Sequence, residues 1–314
     1  MSITRRNFLN NMGAISLAAP FASGISPIDL SPRDDLLDIH LFSKHLQFLD
    51  WKNAAEVAAD IGFSGLDITV RPKGHVLPEN VKRDLPKAIS YVKAAGLSCK
   101  MITTAVNEAS IQLDHDVIKT AADEGVEFYR SDWFKYHEEL SLEDSLDVYK
   151  NKVTELGELN RQYDIIGCYQ NHSGTKIGAS VWEVRRILED VNPEYFGVQY
   201  DIRHAVAEGG RSWPNGIKLL KDQIKVIVLK DFIWGEVNGK WKIVNVPLGE
   251  GMVDFTKYFR MLKDFDLKPP VSLHVEYPLG GAEKGRSSIT IKEELVYKAM
   301  QKDLETAQAL WAAA

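Results

Sequence analysis

The chain has 314 residues, with 38 Lys+Arg against 44 Asp+Glu, a formal net charge of -6 and 45% apolar residues. This is the composition of a globular protein rather than a disordered one, and its acidic balance argues against a nucleic acid partner held through phosphates. Two cysteines, Cys99 and Cys168, cannot build a disulfide framework, and the length fits one large domain or two ordinary ones.

At the N-terminus, Thr4-Arg5-Arg6-Asn7-Phe8-Leu9 precedes the moderately apolar stretch Met12 to Ala22. The pattern resembles a twin-arginine export signal, and small residues at Ser16 and Ala18, or Ala22 and Gly24, offer cleavage sites. The reading is a signal over residues 1–24, a tether over 25–35 and one domain over 36–314, with export through the twin-arginine translocase to the periplasm or beyond. Losing Arg5 and Arg6 would make the mature chain more acidic still. No other segment has the roughly 18 consecutive apolar residues of a membrane span.

Beyond residue 35, short β-rich runs alternate with helical periodicity. Strands are predicted at Leu36–Phe42, Gly65–Val70, Ser98–Thr103, Glu127–Arg130, Asp164–Tyr169, Phe196–Tyr200, Ile224–Leu229 and Val271–Glu276. Helices are predicted at Trp51–Ile61, Glu79–Ala95, Asp114–Glu124, Ser141–Tyr163, Ala179–Asp190, Trp213–Asp222, Asp254–Phe265 and Ile291–Ala312. Ser141 with Asp144 marks a helix start, and Asn238-Gly239 marks the turn of a hairpin over Trp234–Val246. Runs such as Val226-Ile227-Val228-Leu229 lack polar alternation, as in a parallel sheet covered on both faces. Eight such units predict an α/β fold, a single-domain (β/α)8 TIM barrel. An open doubly wound sheet lacks its supports, since no G-x-G-x-x-G and no Walker loop is present.

Active sites of such barrels form at the C-terminal ends of the strands. There the sequence places Lys44 and His45, Arg71 and His75, Thr103 and Thr104, Arg130 and Asp132, then Gln170, Asn171 and His172. Asp201 and His204, Lys230 and Asp231, and His274 and Glu276 complete the set. Carboxylates and imidazoles together can hold a divalent metal or move protons. Plainer readings stand beside this one: Asp231 capping the next turn, Arg130 pairing with Asp132, and His274 turned outward by strand alternation. Trp133, Phe232 and Trp234 are placed to stack on a ligand ring or to pack a loop.

Tyr169-Gln170-Asn171-His172, Tyr200-Asp201-Ile202-Arg203-His204, Leu229-Lys230-Asp231, Pro247-Leu248-Gly249-Glu250-Gly251 and Val275-Glu276-Tyr277 follow one another in that order. Together they resemble the xylose-isomerase-like TIM-barrel superfamily of sugar isomerases and epimerases. The run Gly65-Leu66-Asp67-Ile68-Thr69-Val70-Arg71 through His75 resembles its secreted sugar phosphate isomerase/epimerase branch. The resemblance implies a Mn²⁺, Mg²⁺, Co²⁺ or Zn²⁺ ion held by Glu, Asp, His and Glu. Asp201 and Glu276 match; Gln170 stands where the first Glu is expected, and Val228 where the His is expected. The implied metal set is therefore Asp201, Glu276 and Gln170, short of its usual donors.

The expected activity is proton abstraction next to a carbonyl of a free sugar, keto-sugar or glycoside, with or without a metal. Glu276 is the base, His204 a polarising donor, and Lys230 or Arg71 the support for the enediolate oxygen. Lys44, His45, His75, Gln170, His172 and Trp234 are the expected substrate-binding residues. A keto-sugar lyase or dehydratase is an alternative, and so is a carbohydrate-binding barrel that has lost catalysis. The DNA-repair nucleases of this superfamily need more metal ligands and a basic surface, which this chain lacks.

Overall fold

The structure is a computed structural model in which residues 36–314 are described; the export signal, its cleavage sites and the tether lie outside the described residues. Eight parallel strands close a barrel in the order β1-β10-β7-β6-β5-β4-β3-β2. They are β1 (Ile39–Phe42), β2 (Gly65–Val70), β3 (Ser98–Thr104), β4 (Phe128–Arg130), β5 (Ile166–Gln170), β6 (Phe196–Asp201), β7 (Ile224–Leu229) and β10 (Val271–Leu273). The covering helices are α1 (Trp51–Ile61), α2 (Val81–Ala94), α3 (Gln112–Asp123), α4 (Leu142–Tyr163), α5 (Val181–Ile187), α6 (Ile202–Gly209), α7 (Trp213–Leu220), α8 (Phe255–Asp264) and α9 (Glu293–Ala312). No described helix is long and apolar enough to cross a membrane.

Local chemistry sets many of these boundaries. Asp50, Ser141 and Asp254 cap α1, α4 and α8 by accepting the backbone N–H groups of Asn53, Asp144 and Lys257. Gly62 ends α1 at φ 104°, a conformation that glycine adopts without a Cβ penalty. Asn238 and Gly239 take φ of 53° and 71° and turn the hairpin of β8 (Asp231–Val237) and β9 (Lys240–Val246). The hairpin starts three residues before the predicted Trp234, because antiparallel pairing continues down to Asp231 opposite Val246.

Two further elements differ from expectation. Helix α6 follows β6 without a loop, because Asp201 is both the last residue of the strand and the helix cap. Strand β10 stops at Leu273 rather than Glu276. Its neighbours end at Phe42 and Leu229, so residues 275 and 276 leave the ladder after a last bond from His274 N to the Leu229 carbonyl at 3.0 Å.

The main core lies between strands and helices, while Met101, Cys168 and Val226 form a small apolar layer of their own. Cys99 and Cys168 are free and buried. Packing is tight at Gly65, where an added Cβ would lie 2.2 Å from the Ser98 carbonyl oxygen and 2.4 Å from His40 Nδ1. Gly65→Ala is expected to cost on the order of 2 kcal/mol by overpacking, read as a lower urea midpoint. An unchanged midpoint would show that β2 and β3 can separate freely there.

Candidate active site

The strand ends converge on one ammonium group. Lys230 Nζ lies 3.1 Å from Asp201 Oδ2, 3.3 Å from Glu276 Oε2 and 2.9 Å from His204 Nε2. Lys44 Nζ donates to the other Glu276 oxygen at 3.0 Å. Five predicted residues, Lys44, Asp201, His204, Lys230 and Glu276, thus form one cluster. Gln170 joins it by donating its amide to Asp201 Oδ2 at 2.8 Å.

The Asp-x-x-His spacing has a local cause. Asp201 Oδ1 accepts the backbone N–H of His204 at 3.1 Å, so capping α6 fixes the imidazole beside the carboxylate. Asn171 holds Asp201 by both backbone groups, donating to its carbonyl at 2.9 Å and accepting its N–H at 2.8 Å. His204 Nδ1 accepts from Ser173 N at 3.1 Å and Arg203 Nη1 at 2.8 Å, and it also contacts the Ser173 hydroxyl. Ser173 N and Arg203 are obligate donors to Nδ1, while Nε2 faces the Lys230 ammonium at 2.9 Å and Asp201 Oδ2 at 3.6 Å. Burial, with the Lys230 charge beside it, holds the His204 pKa well below its ordinary value.

Glu276 stands outside the strand ladder, and its backbone is held instead by side chains. His45 Nε2 accepts Val275 N at 3.0 Å, and Asn245 Nδ2 donates to the Glu276 carbonyl at 3.2 Å. Burial disfavours the Glu276 charge, but Lys230 foremost and Lys44 in support outweigh it and hold the carboxyl well below its usual range. His274 points inward, not outward. Its Nδ1 lies 3.8 Å from Glu276 Oε1, and its Nε2 donates to Ser272 Oγ at 3.1 Å. Ser272 in turn donates to the buried Asp67 at 2.6 Å. Burial pushes the His274 pKa down to about 4.

Two cation–aromatic stacks flank the cluster. Arg71 and Lys44 lie over the Phe42 ring, which stacks on His274 at 4.2 Å. Arg130 and Lys176 lie over Trp133, which contacts the His172 ring, and His172 lies 4.0 Å from His204. Lys44, Lys230, Arg71 and Arg203 outnumber the two carboxylates, so the site favours developing negative charge.

Three predicted residues sit apart from the cluster. His45 is fully buried and spends both ring nitrogens on backbone, at Val275 N and the Ala282 carbonyl. His75 donates to the Leu46 carbonyl at 3.1 Å and fastens the loop after β2. Trp234 is 44% exposed on the hairpin, with Phe232 as its aromatic neighbour. Sequence reasoning missed Asn171, Ser173 and Arg203 as supports, although Asn171 and Arg203 lie inside the quoted motifs.

Asp231 takes the capping role. Its carboxylate accepts N–H groups from Phe232, Gly249, Gly251 and Val253 at 2.8 to 3.2 Å, and so shapes the Leu-Gly-Glu-Gly loop. A Cβ on Gly251 would fall 2.2 Å from Asp231 Oδ1, which explains the glycine. Asp231→Ala is expected to cost on the order of 3 kcal/mol, as four N–H groups lose their acceptor, visible as a fall in melting temperature. A loss below about 1 kcal/mol would mean that water replaces the carboxylate.

The residues do not suit a divalent metal. Gln170 faces Asp201 with its amide nitrogen, since a carboxylate only accepts. Val228 has no donor atom, and the Lys230 ammonium stands between the two carboxylates. Among the described residues, no group of three or more His, Cys, Asp and Glu side chains converges to hold an ion.

A family profile described as xylose isomerase-like TIM barrel matches residues 55–293. The chain belongs to that family. An inosose dehydratase of Halalkalibacterium halodurans is 25% identical over 68% of this chain and 70% of its own length. Among solved structures, a 3-keto-D-glucoside 4-epimerase from E. coli superposes with a TM-score of 0.62 at 11% identity, over 86% of this chain and 99% of the other. A family barrel from Mycobacterium smegmatis in complex with magnesium gives 0.64 at 11% identity, over 88% and 98%. These two structural likenesses establish the fold.

Proposed function

We propose that the protein is a sugar-modifying enzyme that removes a proton from the carbon next to a carbonyl of a keto-sugar or keto-glycoside. The observation that carries this reading is the Lys44–Glu276–Lys230–Asp201 cluster, a half-buried carboxylate base set among cations at the barrel mouth. Glu276 takes the proton as the C–H bond breaks, and its electron pair moves to the carbonyl oxygen. The enediolate oxygen so formed is held by Lys230 or Arg71, with His204 as polarising donor. Returning the proton to the other face gives an epimer, and returning it to the neighbouring carbon gives an isomer. Expelling a hydroxyl from the next carbon gives dehydration. The names of the relatives, an epimerase of a keto-glucoside and a dehydratase of inosose, support a keto-sugar substrate class and keep the lyase branch open.

The arginine pair at residues 5 and 6 supports export by the twin-arginine translocase to the periplasm, and with it a free sugar rather than a phosphorylated metabolite. The test is incubation with 3-keto-hexosides and ordinary hexoses in D₂O, followed by NMR and mass spectrometry. Deuterium is expected at the carbon beside the carbonyl, and loss of water from the product would mark the dehydratase branch. Calorimetric binding across the panel with no exchange would replace the enzyme with a carbohydrate-binding barrel.

A further inference from the structure

We infer that Lys230 supplies the cation that a divalent ion supplies in a metal-bound barrel of this family, so that the site works with a built-in ammonium. The inference rests on the proton-abstraction reading above and names the group that receives the developing oxygen charge.

Three observations carry it. First, Nζ stands where Asp201 Oδ2, His204 Nε2 and Glu276 Oε2 converge, at 3.1, 2.9 and 3.3 Å. An ion drawn to the same atoms would overlap it. Second, Asp201 has both oxygens engaged within the protein: Oδ2 by Gln170 and Lys230, and Oδ1 by His204 N. Third, Val228 on β7 is fully buried and lies two residues before Lys230, which directly follows the strand, and a valine offers no donor atom there. The replacements are mutually consistent. An uncharged amide at 170 removes one negative charge, and the two carboxylates that remain, Asp201 and Glu276, are matched by the two ammonium groups of Lys230 and Lys44. Lys230 is itself only 4% exposed, so its charge acts in a medium that screens it little. A metal ion orients substrate by binding two oxygens at once. Here Lys230 and Lys44 bond opposite oxygens of Glu276, so two ammonium groups flank the base, and the substrate class that the reading above sets beside it is a vicinal hydroxy-carbonyl compound.

The test titrates the full-length, chelator-treated protein with MnCl₂ and with ZnCl₂, reading binding heat and melting temperature, beside Lys230→Met. The native protein is expected to take up no ion and to melt at one temperature throughout. Lys230→Met is expected to melt lower and to be raised again by the ion, since Asp201 and Glu276 have lost their counter-charge. One equivalent of ion bound by the native protein and lost in Asp201→Asn overturns the inference. So does a folded Lys230→Met that stays indifferent to metal, because the lysine is then not what keeps the ion out. If that variant does not fold, the native titration decides alone. Deuterium exchange is measured on the same chelated sample. Exchange that stops on chelation and returns with Mn²⁺ overturns the built-in cation and leaves the enzyme reading intact. Absence of exchange under every condition removes the enzyme reading, while the titration still reports on the cation.

Discussion

Glu276→Gln is expected to slow deuterium exchange by about 10²–10⁴-fold, the range supplied by a positioned general base. The amide keeps the shape of the side chain and one of the two lysine contacts, since Lys44 and Lys230 bond opposite oxygens, but it cannot accept the proton. Folding is expected to suffer much less, because Lys230 retains Asp201 at 3.1 Å. Melting curves and exchange rates measured on the same preparation separate the two effects. An exchange rate within a factor of ten of the native value sinks the assignment of Glu276 as base. The geometry also creates a tension. The cations that keep Glu276 ionised lower its affinity for a proton, which weakens it as a base. Lys44 is the more accessible partner, its side chain 18% exposed against 4% for Lys230, and substrate entering the mouth can displace it. Lys44→Met is therefore expected to move the acid limb of the pH–rate profile upward, as Glu276 loses one of the charges that depress its pKa. An acid limb that stays in place would show that Lys44 already lies away from Glu276 in the working enzyme.

Much of the barrel was legible because its signals are local. Strand runs, the Ser141 and Asp254 helix starts and the Asn238-Gly239 turn each depend on a few neighbouring residues. Helix α6 escaped notice because its cap, Asp201, was read only as the end of a strand. The candidate site was legible as a list of strand ends but not as an arrangement. Which atom Lys230 would reach depends on β6, β7 and the segment after β10 closing on one another, and no spacing within the chain encodes that. The same limit applies to His45. Its position near a strand end looked like a substrate contact, yet the imidazole is an internal brace for Val275, and only the closed barrel reveals it. The departures at Gln170 and Val228 were visible as losses from a metal site. Their compensation by Lys230 required coordinates.

Stability is expected to fall as the pH drops below 6.5, by on the order of 2–3 kcal/mol per pH unit. His45, His204 and His274 are buried, and burial leads in lowering each pKa from 6.5, to about 4 for His274 and well below 6.5 for the other two. His172 is likewise lowered to about 4. Below 6.5 the unfolded chain takes up protons that the folded chain refuses, so acid favours unfolding until each folded-state pKa is reached. Asp303 runs the other way. Burial pushes it up to about 7, so from about 7 down to 3.8 the folded state binds the extra proton, which offsets about one histidine. Glu276 does not contribute in this window, because its depressed pKa keeps it charged until the pH is lower. The check is a urea midpoint at neutral pH and at about pH 5.5; equal midpoints would mean that the imidazoles accept protons without strain in the fold. His204→Gln assigns the effect to the site. With its ring nitrogens facing Lys230, Arg203 and Ser173, His204 can be charged only by forcing a cation among cations. Removing that ring should flatten the slope by about 1.4 kcal/mol per pH unit.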